Sequence, residues 1–340
     1  MTLRRGTMAI ALAALAFAGN ASRAEAAEPM LLKYGDPGPP TASIHTQVID
    51  PWSKKVTKES DGTLNVQVFQ GQSLVSMLNA YDRVLNGVAD FAFCIIGPIS
   101  TQVPRTTVAT LPFEAENAHE AGLALERLNE KGVLGEEWSK VKPIGFGVFA
   151  NMSFHTKDRI DKMDDLRGMK LSVQGRVAGQ TVEALGGTPI TLAVTELYPS
   201  LQRGVIGGVA IGWPATVSFK THDFVHHHLL ESLGGEGAMM IMNKDTYARL
   251  SGKAKQAIDA NIGTVYTNWF NKVIDDTERE NRAVLENAKD QEIHRLAADE
   301  RARWKDKMAK VVAEWTRATP DGDKVLAGFR KEIATIRAGS

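Results

Sequence analysis

The chain has a single cysteine, Cys94, in 340 residues. An intrachain disulfide is therefore excluded, and the position of Cys94 inside an apolar stretch reads as a small buried hydrophobe. No apolar run reaches the roughly 20 residues that a membrane-spanning helix needs. Neither sign of charge dominates, with 40 basic against 40 acidic side chains, and that balance speaks against nucleic acid as a partner. Signatures of catalysis are missing as well. There is no HExxH, GxSxG, CxxC or EF-hand loop, and no nucleophile stands beside a base at readable spacing. Gly145-Phe146-Gly147-Val148-Phe149-Ala150 matches a dinucleotide fingerprint in letters only, because it alternates like a strand and opens no helix. His226-His227-His228 cannot converge on one ion from a single helix or strand, so it reads as a solvated segment. The weight falls against an enzyme, and neither cofactor nor metal is expected.

What is present begins with an export signal. Arg4 and Arg5 precede an apolar stretch over 8–18, and Ala24-Glu25-Ala26 fits a small-x-small cleavage site. Residues 1–27 read as a cleaved signal peptide, with the mature chain starting near Ala27 or Glu28 in the periplasm. Loss of Arg4, Arg5, Arg23 and Glu25 from the 40 of each sign leaves 37 basic and 39 acidic side chains. The roughly 310 residues that remain suit two domains better than one.

One unit occurs twice. Val84-Leu85-Asn86-Gly87 followed by 88–93, and Leu201-Gln202-Arg203-Gly204 followed by 205–211, each read as a helix end, a glycine and an apolar strand. Each then runs into a Gly/Pro loop, Gly97-Pro98 in one and Gly212-Trp213-Pro214 in the other. Two such α/β units predict two lobes with a cleft between them, because open α/β sheets bind ligands outside the carboxyl ends of their strands. Periodicity predicts helices over 43–60 and 74–85 in the first unit. In the second it predicts a helix over 196–203, capped by Thr195. The apolar strand 238–242 has no room in the second unit and is assigned back to the first. The segment 252–288, with only Gly263 inside it, reads as one helix about 55 Å long at roughly 1.5 Å per residue, enough to span both lobes. The expected division is a signal peptide at 1–27, one lobe from 28–150 plus about 237–260, a second from 151–236, and C-terminal helices over 261–340 that bridge them.

The cleft walls follow from the same reading. The first lobe offers Gly97 and Pro98, with the loop 36–43. The second offers Asn151 and Ser153 on an extended segment, Ser172, Gln174 and Arg176 beyond the Asp164-Asp165-Leu166-Arg167-Gly168 turn, and Trp213 at a strand end. Trp213 would form an apolar wall or a cation–π face. Its bland alternative is core packing. For Asn151 and Ser153 the alternative is an ordinary solvated edge.

Several segments together resemble the solute-binding proteins of tripartite ATP-independent periplasmic (TRAP) transporters, of the C4-dicarboxylate-binding type. They are Asp164-Asp165-Leu166-Arg167-Gly168-Met169-Lys170-Leu171, then Glu183-Ala184-Leu185-Gly186-Gly187-Thr188-Pro189, then Glu196-Leu197-Tyr198-Pro199-Ser200-Leu201-Gln202-Arg203-Gly204. The resemblance implies a two-lobed α/β periplasmic binding protein, type II-like. Such a protein has a hinge, mixed sheets and a long C-terminal helix across both lobes. Its partners would be a small-molecule solute, an organic acid, and the membrane TRAP permease subunits. The family commonly grips the acid with an arginine at the position where this chain has Ser172, and usually has an aspartate where Gly207 stands. Three ligand readings follow: Arg176 replaces the lost fork, neutral donors hold the acid, or the solute is neutral or cationic. A ligand sensor and a periplasmic α/β enzyme are the alternatives from other classes.

Overall fold

The structure, a computed structural model, describes residues 28–149 and 152–339. The expected signal peptide, 1–27, lies outside them. Eleven strands are present among the described residues. In chain order they are β1 Met30–Asp36, β2 Leu64–Gln70, β3 Phe91–Ile95, β4 Lys142–Phe149, β5 Ser153–Thr156 and β6 Lys170–Val173. Then follow β7 Thr188–Thr191, β8 Gly208–Ile211, β9 His227–Leu229, β10 Glu236–Met242 and β11 Glu292–His294.

The strands form two sheets, in the orders β2-β1-β3-β10-β4 and β11-β9-β5-β8-β6-β7. In the first, β2, β1 and β3 are parallel and β10 is antiparallel to β3. In the second, β7, β6 and β8 are parallel and β5 is antiparallel to β8. The two sheets thus repeat one parallel three-strand order with an antiparallel strand beside it. Each repeat has the same glycine closure. Gly87 (φ 70°) and Gly204 (φ 69°) end their helices in the left-handed region. Val88 N–H then bonds Arg83 O, and Val205 N–H bonds Ser200 O, both at 2.9 Å, the 6→1 bond of a Schellman turn.

The chain passes from the first sheet to the second between β4 and β5 and returns between β9 and β10. The two passages are hydrogen-bonded to each other: Met152 N–H to Gly234 O at 2.8 Å, and Leu233 N–H to Met152 O at 3.1 Å. Gly234 has φ 109°, and a side chain there would collide with the Thr110 carbonyl.

Three expectations are corrected. The segment 252–288 is two helices, Gly252–Asp259 and Thr264–Glu286, broken at Gly263. Gly263 takes φ 62° and donates its N–H to Ile144 O, so the longer helix is about 35 Å rather than 55 Å. The helix over 74–85 shrinks to Ala80–Leu85. The helix over 196–203 is Leu197–Gln202, and no side chain caps it; Thr195 sits inside a preceding 3₁₀ turn, Val194–Glu196.

The helix Thr264–Glu286 rests directly on β4. Thr267 Oγ1 accepts from Phe146 N–H and Asn271 Oδ1 from Val148 N–H, both at 3.0 Å. This contact explains the glycines of β4. A Cβ on Gly145 would lie 2.6 Å from Tyr266, and one on Gly147 would fall inside the Phe270 ring. The helix Ala298–Ala318 also touches both halves. Trp304 packs on Phe154 with ring centroids 5.8 Å apart, and Trp315 Nε1–H donates to Thr107 Oγ1 at 2.7 Å. Gly147→Ala should therefore lower stability by about 1–3 kcal/mol through overpacking. Phe270→Leu in the same chain should recover part of the loss in urea unfolding, and no recovery would remove Phe270 from the explanation.

Candidate functional site

The carboxyl ends of β3 and β6 point toward one another across a narrow cleft. Its walls include Ile96, Gly97, Gln174, Arg176, Val177 and Glu236. Gly97 follows β3 in a short 3₁₀ turn, Gly97–Ile99. Gln174 follows β6 and precedes the helix Gly175–Ala184. Gly175 has φ 80°, a conformation that favours glycine. A Cβ there would lie 3.8 Å from both Gly97 Cα and Glu236 Oε2, so the halves come within van der Waals contact. The cavity between them is about 30 Å³, room for a water or two.

Three polar groups define its chemistry. Gln174 Nε2 donates to Leu192 O at 2.9 Å, which fixes its amide. Arg176 is exposed, lies in the first turn of its helix, and has no ion-pair partner among the described residues. The open N–H groups and dipole of that helix end add positive potential beside it. Glu236 Oε1 accepts from Gly97 N–H at 2.8 Å. Burial pushes its carboxyl up to about 8, against the opposing pull of that one N–H.

Of the residues expected in the site, the structure brings Gly97, Gln174 and Arg176 together. Pro98, next to Gly97, is exposed and is not part of the cleft wall. Ser153 is buried and donates to Glu231 O at 3.0 Å. Ser172 is buried, and its hydroxyl has no partner among the described residues. Asn151 lies outside the described residues. Trp213 is not in a loop. Gly212 is the N-cap of a short helix, Trp213–Ser218, with Pro214 in its first turn, where a missing N–H costs nothing. The indole is turned inward and fully buried.

Trp213 belongs to a buried cluster with His155 and His228. It meets His155 edge to face at 4.9 Å. His155 Nδ1 lies 2.7 Å from His228 Nδ1, and His155 Nε2 lies 3.2 Å from Ile211 O. A carbonyl only accepts, so His155 carries its proton on Nε2, and by the same argument His228 Nε2–H donates to the Gln291 amide oxygen. The expected solvated histidine run is thus corrected. His227 and His228 lie in β9, and His228 is buried between β5 and the Gln291 side chain, 2.7 Å away. Burial depresses both imidazoles, His155 well below the ordinary value and His228 to about 4. No group of side chains suited to a metal is found among the described residues.

Glu236 was missed by sequence reasoning. Its one readable mark is an acidic residue in Gly234-Gly235-Glu236-Gly237, just before the apolar strand that enters the first sheet. Cys94, by contrast, matches its reading: it is buried, and burial pushes its thiol up to about 12.

The profile of the DctP family, bacterial extracellular solute-binding protein family 7, matches residues 35–318. The chain belongs to this family. It is 26% identical over 273 residues to the C4-dicarboxylate-binding periplasmic protein DctP of Rhodobacter capsulatus, covering 75% of this chain and 77% of that one. Against other curated relatives the matched stretch takes in 66% and 64% of their length. Among solved structures, a TRAP solute-binding protein from a marine metagenome, specific for aromatic acid ligands, is 26% identical. It superposes with TM-score 0.85 over 90% of this chain and 99% of its own. A TRAP solute-binding protein from Rhodoferax ferrireducens, with copurified benzoate, is 25% identical, with TM-score 0.85 over 92% of this chain and 100% of its own. The two-lobed α/β fold is shared, and the family's role is solute binding rather than catalysis. No helix among the described residues is long and apolar enough to cross a membrane.

The histidine pair predicts an acid limit for this family member. The folded values lie below the unfolded value of 6.5, so the stabilisation is full above that pH. It is lost as pH falls toward about 4. His228 alone accounts for about 3 kcal/mol. Urea unfolding of the parent and His228→Gln across that window should converge at low pH, and a constant difference would mean that the pair is not held neutral.

Proposed function

We propose that this protein captures a small organic acid, an aromatic monocarboxylate in the first instance, between its lobes and delivers it to the membrane subunits of a TRAP transporter. The observation that carries the reading is the unpaired Arg176 guanidinium at a helix N-terminus on the cleft wall. A planar fork and a row of open N–H groups suit a carboxylate. The family arginine position holds Ser172, whose side chain is buried, so Arg176 and the helix end stand in for it. Gly97 and Gln174 complete the grip, and Trp213 and Ser172 support it from behind. The solved relatives with benzoate and aromatic acids favour a ring-bearing acid.

The wider assignments belong to the same reading. Residues 1–27 direct export and are removed near Ala27 or Glu28. The lobes are 28–150 plus about 237–260, and 151–236, a division supported by the place of β10 in the first sheet and of β5 to β9 in the second. The intact mass of the exported chain tests the cut, and a mass that retains residues 1–27 would refute it.

A thermal-shift screen over benzoates, phenylacetates, C4-dicarboxylates, amines and sugars tests the solute class. A true solute at a hundredfold excess over its Kd stabilises the protein by about 2.7 kcal/mol. For a confirmed acid, Arg176→Ala should weaken binding about 10- to 100-fold, the worth of a charge-assisted hydrogen bond of about 1.5–3 kcal/mol. Unchanged affinity would remove Arg176 from the grip, stabilisation by amines alone would overturn the acid, and turnover of a hit would overturn the receptor.

A further inference from the structure

Glu236 is a carboxyl group placed in a site that otherwise looks built for an anion. It stands at the start of β10, directly after the return passage between the sheets, and it lines the same cleft as Arg176. Oε1 is committed to Gly97 N–H at 2.8 Å. Oε2 has no hydrogen-bond partner among the described residues, and it is the oxygen that lies 3.8 Å from the Cβ position of Gly175 on the opposite wall. No cation among the described residues is paired with it. The titratable groups that face it are Arg176 on the helix Gly175–Ala184, which shares the cleft without bonding to it, and the Cys94 thiol on β3, which stays protonated. The turn Thr106–Thr110 contributes Thr107 and Thr110. Among the described residues this acceptor is half-satisfied, and it can take a further donor.

We infer that Glu236 is a specificity-determining residue whose free oxygen accepts a hydrogen bond from the solute, so that the preferred solutes are monocarboxylates that also carry an O–H or N–H donor. The inference rests on the organic-acid reading above. The carboxylate end goes to Arg176 and the helix end, and the donor end goes to Glu236. A second carboxylate on the solute would meet Glu236 instead of a donor, which disfavours plain dicarboxylates. Burial holds the free carboxyl at about 8. A donor that bonds the ionised form draws that value down, so binding releases protons near neutral pH; a solute carboxylate set against Glu236 would take protons up.

The test uses matched acids with and without a donor: 3-hydroxybenzoate and 3-aminobenzoate against benzoate, mandelate against phenylacetate, malate against succinate. Calorimetry on the mature protein in buffers of different ionisation enthalpy gives affinity and proton count together. The expected result is a preference of about tenfold or more for the donor-bearing member of the pairs that bind, in line with a hydrogen bond to a charged group, with net proton release. Glu236→Gln keeps the Gly97 bond through its amide oxygen and turns an NH₂ to the cleft, so it should reduce the preference to within about threefold. Equal affinity within pairs, an undiminished preference in Glu236→Gln, or proton uptake would each overturn the inference while leaving the acid reading standing. Binding of none of the acids would overturn the acid reading, and this inference with it. The preference and the proton count of the parent need no variant, so a poorly folding substitution does not protect the idea.

Discussion

The molecule depends on one short antiparallel pairing, where the two passages between the sheets bond to each other through Met152, Leu233 and Gly234. Both crossings are tied together in register, which makes that line the natural axis for a hinge between the halves. Glycine at 234 is what lets the return strand approach the Thr110 carbonyl. Everything that forms the cleft is measured from there. Glu236 is two residues beyond Gly234, and β10 carries the chain back between β3 and β4. Helix Thr264–Glu286 then locks onto β4 through glycines that have no room for a side chain. The hinge is therefore narrow, and the scaffold on either side of it is stiff.

The polar chemistry divides between the cleft and the second lobe's interior. In the cleft, Arg176 and Glu236 stand on opposite walls without pairing. Arg176 is exposed, and Glu236 is held largely protonated near neutral pH by burial, so the two make no ion pair. Inside the lobe, the two buried histidines are set against neutral partners, the Ile211 carbonyl and the Gln291 amide. His155 and His228 meet Nδ1 to Nδ1, with His155 Nε2 against the Ile211 carbonyl and His228 Nε2 against the Gln291 amide. Trp213 covers them edge-on. This core holds the end of β8 in place behind the cleft.

Much of the architecture was legible in the sequence, because it is carried by local signals. A glycine closes each helix before the repeated strand, and both glycines adopt the left-handed turn that such closures use. The apolar strand that did not fit the second unit does lie in the first sheet. The misreadings have local causes too. Gly212-Trp213-Pro214 uses residues that open a helix as readily as they break one, so the indole's direction was invisible. His228 has the letters of a surface run, but its strand register places it opposite His155. Gly263 looked tolerable within a helix, and its positive φ was decided by a bond to Ile144 in another element. Glu236 was beyond reach for a similar reason. Nothing near it in the chain says that Gly97, 139 residues away, donates to it.

The cavity between the lobes is about 30 Å³, too small for an aromatic ring. Under the capture role proposed above, entry of such a solute would be gated. A solute is admitted only during the fraction of time the hinge is open, and the observed association constant carries that fraction as a factor. The helix Ala298–Ala318 is fastened to one half by Trp304 and to the other by Trp315, so opening would have to strain it or release one of these contacts. Under the capture role proposed above, changes in its stiffness would alter how quickly a solute is taken up before they altered which solute is chosen.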